Sequence, residues 1–238
     1  MLPYIGNTIP SYSVLAIIGL FSMMLLIYLR NKILTFYEYF ILIIFMIIGA
    51  ALGSKFVFVV TQIPDIIAHF SIKYMIYKII TSGFVFYGGL FGAIAGCVMF
   101  SKLKSYDVKV MLNLVTPGYS MFHAFGRIGC FLAGCCYGKQ ASWGVAMNNE
   151  SEVLRIPVQL IESVFLFLLT WILIQQEKKN RNIFILYLVC YAFFRFIIEF
   201  YRGDIVRGMW GCFSTSQWVS LLIVLLLIVY KTRQWHLQ

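Results

Sequence analysis

Charge is scarce in this sequence, and acidic charge is scarcest. Of 238 residues 12% are charged, with nine Asp and Glu against nineteen Lys and Arg. A soluble domain carries roughly a quarter of its residues as charge, so that class is excluded. Internal repeats, low-complexity tracts and a second, soluble domain are also lacking. The six cysteines, at 97, 130, 135, 136, 190 and 212, contain no CxxC pair. No zinc site, and no metal or other cofactor, is therefore expected. On an exported face Cys130 is placed to oxidise with Cys135 or Cys136, and the remaining cysteines read as soft packing residues. The first apolar run has no basic segment before it and no cleavage site after it. It reads as a retained span, not a removed signal peptide.

What is abundant is apolar surface: 61% of residues are hydrophobic and the mean hydropathy is +0.87. Repeated apolar runs of about 20 residues match the hydrocarbon thickness of a bilayer. The expected fold is all-α, a single polytopic integral membrane domain over residues 1–238. Seven spans are predicted, near 12–29, 36–60, 83–100, from 110 into a glycine-rich stretch, 158–174, 183–201 and 218–230. Pro117-Gly118 is expected to break or kink the fourth. Gly49 and Gly53, four apart in the second, have the spacing of a close helix contact, with Lys55 as the charge to be sheltered. Between spans two and three, apolar residues recur at helical spacing among Asp65, His69, Lys73 and Lys78, which predicts an interfacial helix near 65–80.

The formal charge of +10 has a membrane explanation. Basic residues cluster after spans one, three, five and seven, which places those ends in the cytoplasm and the amino terminus outside. Nucleic acid is not needed to explain them. Lys55, Lys73, Lys78, Arg127, Lys139, Arg155, Arg195, Arg202 and Arg207 remain unexplained by orientation.

Arg127 lies in FHAFGRIGCFLAGCCYG, residues 122–138. A charge at membrane depth costs several kcal/mol unless it is paired or faces water. On a helix, His123, Arg127 and Cys130 share one face, and Gly126 and Gly129 let a ligand or a second helix approach. A small-residue crossing with a snorkelling arginine is the structural alternative. In FRFIIEFYRGD, residues 194–204, Arg195, Glu199 and Arg202 have the same i, i+4, i+7 spacing. Glu199 can pair with either arginine, which makes a purely structural salt bridge the alternative there. Joined, the arginines form a bidentate clamp for an anion, and a lipid phosphate is the anion at hand. This suits a phospholipid-consuming transferase better than a pore.

In order along nearly the whole chain, these stretches resemble bacterial prolipoprotein diacylglyceryl transferases. IPSYSVL resembles the family's Ser-Tyr start at Ser11 and Tyr12, and GAALGSK its glycine-rich second span with Lys55. YGGLFG resembles the His-Gly-Gly-Leu motif, and GRIGCFLAGCCYG the Gly-Arg-(Ile/Leu)-Gly-Asn-Phe signature ending at Gly138. RIPVQLIES resembles Arg-x-Pro-x-Gln-Leu-Tyr-Glu, and FRFIIEFYRGD with STSQWVS the closing Arg-Phe-x-x-Glu-Phe-x-Arg and Gly-Gln-x-x-Ser segments. The resemblance implies transfer of a diacylglyceryl group from phosphatidylglycerol to the cysteine thiol of a preprolipoprotein signal peptide, with glycerol phosphate released. It implies a multi-pass protein of the bacterial plasma membrane.

By the same resemblance, Arg127 and Arg195 hold the phosphate and Glu199 and Arg202 support them. Tyr12, Lys55, Gly88, Gly89, Gly129, Cys130, Gly138 and Gln217 fall at substrate-binding positions. Tyr87 replaces the motif's His and Cys130 the signature's Asn, while Ala133-Gly134-Cys135 stands where the family has Asn-Gly-Glu. A tyrosine of ordinary pKa is a poor base. The base is thus a relocated His123, or else Tyr87 acts as a hydrogen-bonding orienter while the thiol loses its proton to water or to phosphate. The acceptor is a lipoprotein cysteine or another exported group such as a surface glycan. A non-catalytic lipid-binding or transport protein on the same helices is the rival class. Leu132-Ala133-Gly134-Cys135 looks like a lipoprotein modification site but has no signal-peptide context.

Reporter fusions test the orientation. Fusions at Lys178 should report as cytoplasmic and fusions at Lys139 as exported; the reverse pattern rules the orientation out.

Overall fold

The computed structural model describes residues 2–6, 8–61, 71, 86–147, 153–179, 181–203 and 209–235. Seven α-helices lie among them: α1 (Ser11–Arg30), α2 (Phe36–Thr61), α3 (Phe86–Leu103), α4 (Val108–Leu132), α5 (Val158–Glu177), α6 (Ile183–Ile198) and α7 (Thr215–Trp235). A 3-10 turn, Glu199–Tyr201, closes α6. The connections carry short strands: β1 (Tyr4–Ile5) with β2 (Ile9–Pro10), β3 (Gln140–Ala146) with β4 (Leu154–Arg155), and β5 (Met209–Trp210) with β6 (Phe213–Ser214), each pair antiparallel. The fold is the expected all-α membrane class, with these small hairpins added. Four helices, α1, α2, α5 and α6 with its 3-10 turn, are long and apolar enough to cross a membrane. The interfacial helix expected near 65–80 falls outside the described residues.

The chain divides into two compact units, residues 30–114 and residues 1–29 with 115–238. In the first, α2 and α3 pack along a glycine seam. A methyl group on Gly49 would strike the Gly92 carbonyl, one on Gly53 the Gly88 carbonyl, and one on Gly96 the Phe45 carbonyl. The spacing of Gly49 and Gly53 thus marks a real backbone-to-backbone contact, met on α3 by Gly88, Gly92 and Gly96. Ser54 beside it is buried, while Lys55 is half-buried. Thr35 and Glu38 cap α2 reciprocally, and the Glu38 carboxylate also accepts from the Tyr106 hydroxyl at 3.0 Å.

Of the expected break or kink at Pro117, the break is absent: α4 runs through the proline. Proline removes the N–H that the carbonyl four residues earlier would receive. Arg30 supplies donors in that turn: its guanidinium reaches the Asn113 carbonyl at 3.3 Å and the Leu114 carbonyl at 2.7 Å. The helix passes through its proline because a side chain from the end of α1 satisfies the exposed carbonyls.

In the second unit α1 lies along α4 at three glycines. Gly19 sits under Phe122 and Phe125, Gly118 under Met23 and Ile27, and Gly129 under Tyr12 and Leu15. Ser120 and Ser163 donate across to the carbonyls of Leu166 and Ala124, tying α4 to α5. Ala124, Leu166, Leu169, Leu173, Ile183, Tyr187 and Tyr191 form the apolar core of α4, α5 and α6.

The glycine seam gives a contrast. Gly92→Leu should lower the thermal stability of the detergent-solubilised protein, by about 1–3 kcal/mol if the seam partly relaxes. Gly126→Ala, whose added methyl meets nothing within 4 Å, should leave it unchanged. Equal melting temperatures for the two variants would show that the seam does not need its glycines.

Candidate active site

At the end of that core, three helices each bring charge to one point. Glu162, in the first turns of α5, is 1% exposed. Its Oε2 lies 3.1 Å from Arg127 Nε and 3.6 Å from a terminal nitrogen of Arg195. Its Oε1 accepts from the Tyr191 hydroxyl at 2.9 Å and lies 3.8 Å from His123 Nε2. The His123 ring meets Tyr191 edge to face. Arg195, 2% exposed, also contacts Glu199 at 2.6 Å and donates to the Ser216 hydroxyl at 3.2 Å. Two guanidinium groups thus share one buried carboxylate, and the second carboxylate holds Arg195 from the other side.

Glu162 stands inside the RIPVQLIES segment, yet sequence reasoning singled out Glu199 as the paired carboxylate. The signal was present, since Glu162 is a charge within an apolar run just as Arg127 is. Arg202 also departs from expectation. The helix ends before it, and Arg202 is extended (φ −75°, ψ 143°), so it does not continue the helical face of Arg195 and Glu199. Its backbone instead bridges to Gly138. The side chain is buried and acts electrostatically on Glu162.

The segment 137–139 is woven between two neighbours. Gly138 N–H donates to the Ile156 carbonyl at 2.9 Å, Lys139 N–H to Tyr201 at 2.8 Å, and Gly203 N–H to Tyr137 at 3.0 Å. A side chain on Gly138 would strike Ile156 and the Tyr201 carbonyl. Gly138 therefore serves close backbone packing here. Gln217 is likewise engaged: its Oε1 accepts from Ser214 N–H at 2.9 Å while Ser214 Oγ accepts from Gln217 N–H, a capping box for α7. Gly129 is covered by Tyr12, whereas Gly126 faces open space. Tyr12 is half exposed, and its hydroxyl lies within electrostatic reach of Arg127 and of Cys130, Cys135 and Cys136. Tyr87, Gly88, Gly89 and Lys55 belong to the first unit; Gly88 packs against α2, and Gly89 is half-buried.

Beyond α4 the chain turns at Ala133-Gly134, with Gly134 (φ 72°) and Cys136 (φ 62°) left-handed. The turn brings the sulfurs of Cys130, Cys135 and Cys136 within 4.8 Å of one another. Cys136 lies beyond the helix. Hydrogen bonds from Cys130 and Cys135, with the charges of Arg127 and Arg202, hold its thiol well below the usual range. The lack of a CxxC pair did not reveal this grouping.

Fold and site together define a helical membrane protein with three buried guanidinium groups set against two carboxylates. The sequence comparisons agree on what that is. A family model described as prolipoprotein diacylglyceryl transferase matches residues 1–232, and the chain belongs to that family. A phosphatidylglycerol–prolipoprotein diacylglyceryl transferase of Clostridium tetani is 36% identical, covering 93% of this chain and 91% of its own. A Clostridium perfringens protein of that name, numbered 2, is 32% identical over 75% of this chain and 72% of its own. One from Campylobacter hominis is 28% identical over 77% and 70%.

Glu162→Gln should cost roughly 3–5 kcal/mol of stability, because it strands two buried guanidinium groups. Glu199→Gln, which leaves Arg195 its second carboxylate in Glu162, should cost less. Thermal unfolding of both variants in detergent checks the order; a reversed order removes Glu162 from the centre of the network.

Proposed function

We propose that this chain transfers the diacylglyceryl group of phosphatidylglycerol to the cysteine thiol of a prolipoprotein signal peptide, at the exported face of the bacterial plasma membrane. The two compact units act as one transferase over residues 1–238, crossing the membrane several times with the amino terminus outside. The carrying observation is the buried network of Arg127, Arg195 and Glu162. Family membership and the names of the relatives support the same reaction. Nothing favours a different exported acceptor or a non-catalytic lipid carrier.

In the reaction the thiolate sulfur attacks the glyceryl C3 carbon, and the bond from that carbon to the phosphate oxygen breaks. Its electron pair leaves with glycerol phosphate, whose phosphate gains one negative charge. Most of the protein's work is to stabilise that charge. Arg127, Arg195 and Arg202 against Glu162 and Glu199 leave one positive charge in excess, which the phosphate meets. The carboxylates hold the guanidinium forks in place beforehand, so little reorganisation accompanies the transition state. Gly126 leaves open space on the Arg127 helix for the headgroup. His123, 4% exposed and packed against Glu162 and Tyr191, is poorly placed to take a proton from an outside thiol. Tyr12 lies toward the acceptor side. Tyr87 keeps its proposed catalytic role and Lys55, Gly88, Gly89, Gly138 and Gln217 their proposed substrate roles from the resemblance, while Gly138 and Gln217 also hold the frame.

Arg127→Ala should abolish transfer from labelled phosphatidylglycerol to a lipobox peptide. Arg127→Lys should retain a small fraction, because a point-charge ammonium cannot replace bidentate contacts. Near-normal turnover in folded Arg127→Ala protein refutes the phosphate role.

A further inference from the structure

We propose that Cys130, Cys135 and Cys136 bind one soft divalent cation of the zinc class through three thiolates, leaving a fourth position for the acceptor thiol. The proposal rests on the transferase reading and deepens it.

The sulfurs lie within 4.8 Å of one another. Zinc–sulfur bonds of about 2.3 Å place ligand sulfurs roughly 3.8–4 Å apart, so side-chain adjustments of less than about 1 Å close the site. The turn is built to present three sulfurs. Cys130 comes from the last turn of α4, three residues after Arg127, and the chain reverses through left-handed Gly134. Cys136 is left-handed without being glycine, a conformation that persists where surroundings impose it. The side-chain amide of Gln159, itself 1% exposed, donates to the Cys135 carbonyl at 2.6 Å and fixes the turn from α5.

A disulfide serves this geometry less well. Cys135 and Cys136 are neighbours across a trans peptide, which sets their Cα atoms about 3.8 Å apart, shorter than ordinary disulfides allow. Any pairing with Cys130 leaves one sulfur unused, whereas an ion uses all three. Thiolates select soft ions over magnesium or calcium. Three thiolates around a divalent ion leave one negative charge, and Arg127 and Arg202 both lie within electrostatic reach of Cys136. Cys135 is exposed, which provides an entry path.

Three protein ligands with an open position is the arrangement of catalytic rather than structural zinc. A thiol that takes the open position loses its proton to solvent and is held as thiolate. That sulfur then forms the bond to glyceryl C3, the carbon–oxygen bond breaks, and the electron pair departs on glycerol phosphate. No electron is gained or lost overall.

The test uses full-length protein purified in detergent under reducing conditions, with zinc measured by elemental analysis and cobalt(II) as a spectroscopic probe. About one ion per chain is expected, with the intense visible bands of tetrahedral cobalt and thiolate charge-transfer absorption. A lipobox peptide should shift the visible bands and its Cys-to-Ser counterpart should not. Cys135→Ser, at an exposed position, and Cys136→Ser should each weaken cobalt binding at least tenfold, with thermal unfolding confirming that the variants are folded. Cobalt spectra unchanged in both variants, or a cysteine disulfide recovered from freshly isolated membranes with no metal, overturns the site. The same preparation separates the two readings. Full transfer by metal-free protein removes the ion and leaves the transferase standing, while zinc at the three cysteines with no transfer at all overturns the transferase reading and the open-position role together.

Discussion

The Glu162 carboxylate is the point on which the rest of this protein depends. A lone charge there would cost several kcal/mol, and an attraction at 4 Å returns only about 4 kcal/mol at the effective dielectric of a protein. One cation would barely balance the account. Two guanidinium groups and the Tyr191 hydroxyl converge on it instead, from α4 and α6. The network forms only when these helices meet α5 in one register, so the same contact that closes the bundle assembles the site. Apolar side chains would hold three helices together at least as well. The charge therefore needs an explanation beyond stability, and the proposed phosphate role supplies one.

The woven loop segment does for the mouth of the site what Glu162 does for its floor. Residues 137–139 are hydrogen-bonded to Ile156 on one side and to Tyr201 and Gly203 on the other. That frame fixes Arg202 on one strand and the Cys136 turn on the next. Rigid backbone at this place suits the proposed phosphate clamp, because such a clamp loses effect with small displacements. Gly138 and Gly203 are the residues that let three backbones come so close, and a side chain on either would strike its neighbours.

The helices were legible because long apolar runs and alternating basic ends leave few alternatives. Arg127, Arg195 and Glu199 were legible for the opposite reason, as charges out of place in such runs. Glu162 satisfied that criterion too but was absorbed into a motif and passed over. Arg202 was misplaced because the i, i+4, i+7 pattern assumes a helix that ends after Ile198. The resemblance marks Gly138 and Gln217 as substrate positions without saying what they touch, so their packing and capping contacts were not legible. That α4 runs on through Pro117 without a break was not legible, because its rescue comes from Arg30, more than 80 residues away. The sulfur cluster depends on two left-handed residues, which no spacing rule records.

Donor and acceptor chemistry make different electrostatic demands, and this site separates them along one helix. In the proposed reaction leaving-group charge is met by fixed cations, a role proposed for Arg127 and Arg195 at the buried end of the network. The acceptor must lose a proton, which a lone tyrosine does poorly near neutral pH. Yet an excess of positive charge favours a thiolate as surely as it favours a departing phosphate. Arg127 faces Glu162 and also acts on Cys130 and Cys136 three and nine residues further on. On that reading the substitution at Tyr87 removes one base from a site whose field already leans toward the ionised thiol. Under the proposed reaction the arginines are then the part of the motif that cannot be exchanged, because both halves of that reaction would draw on the same charge.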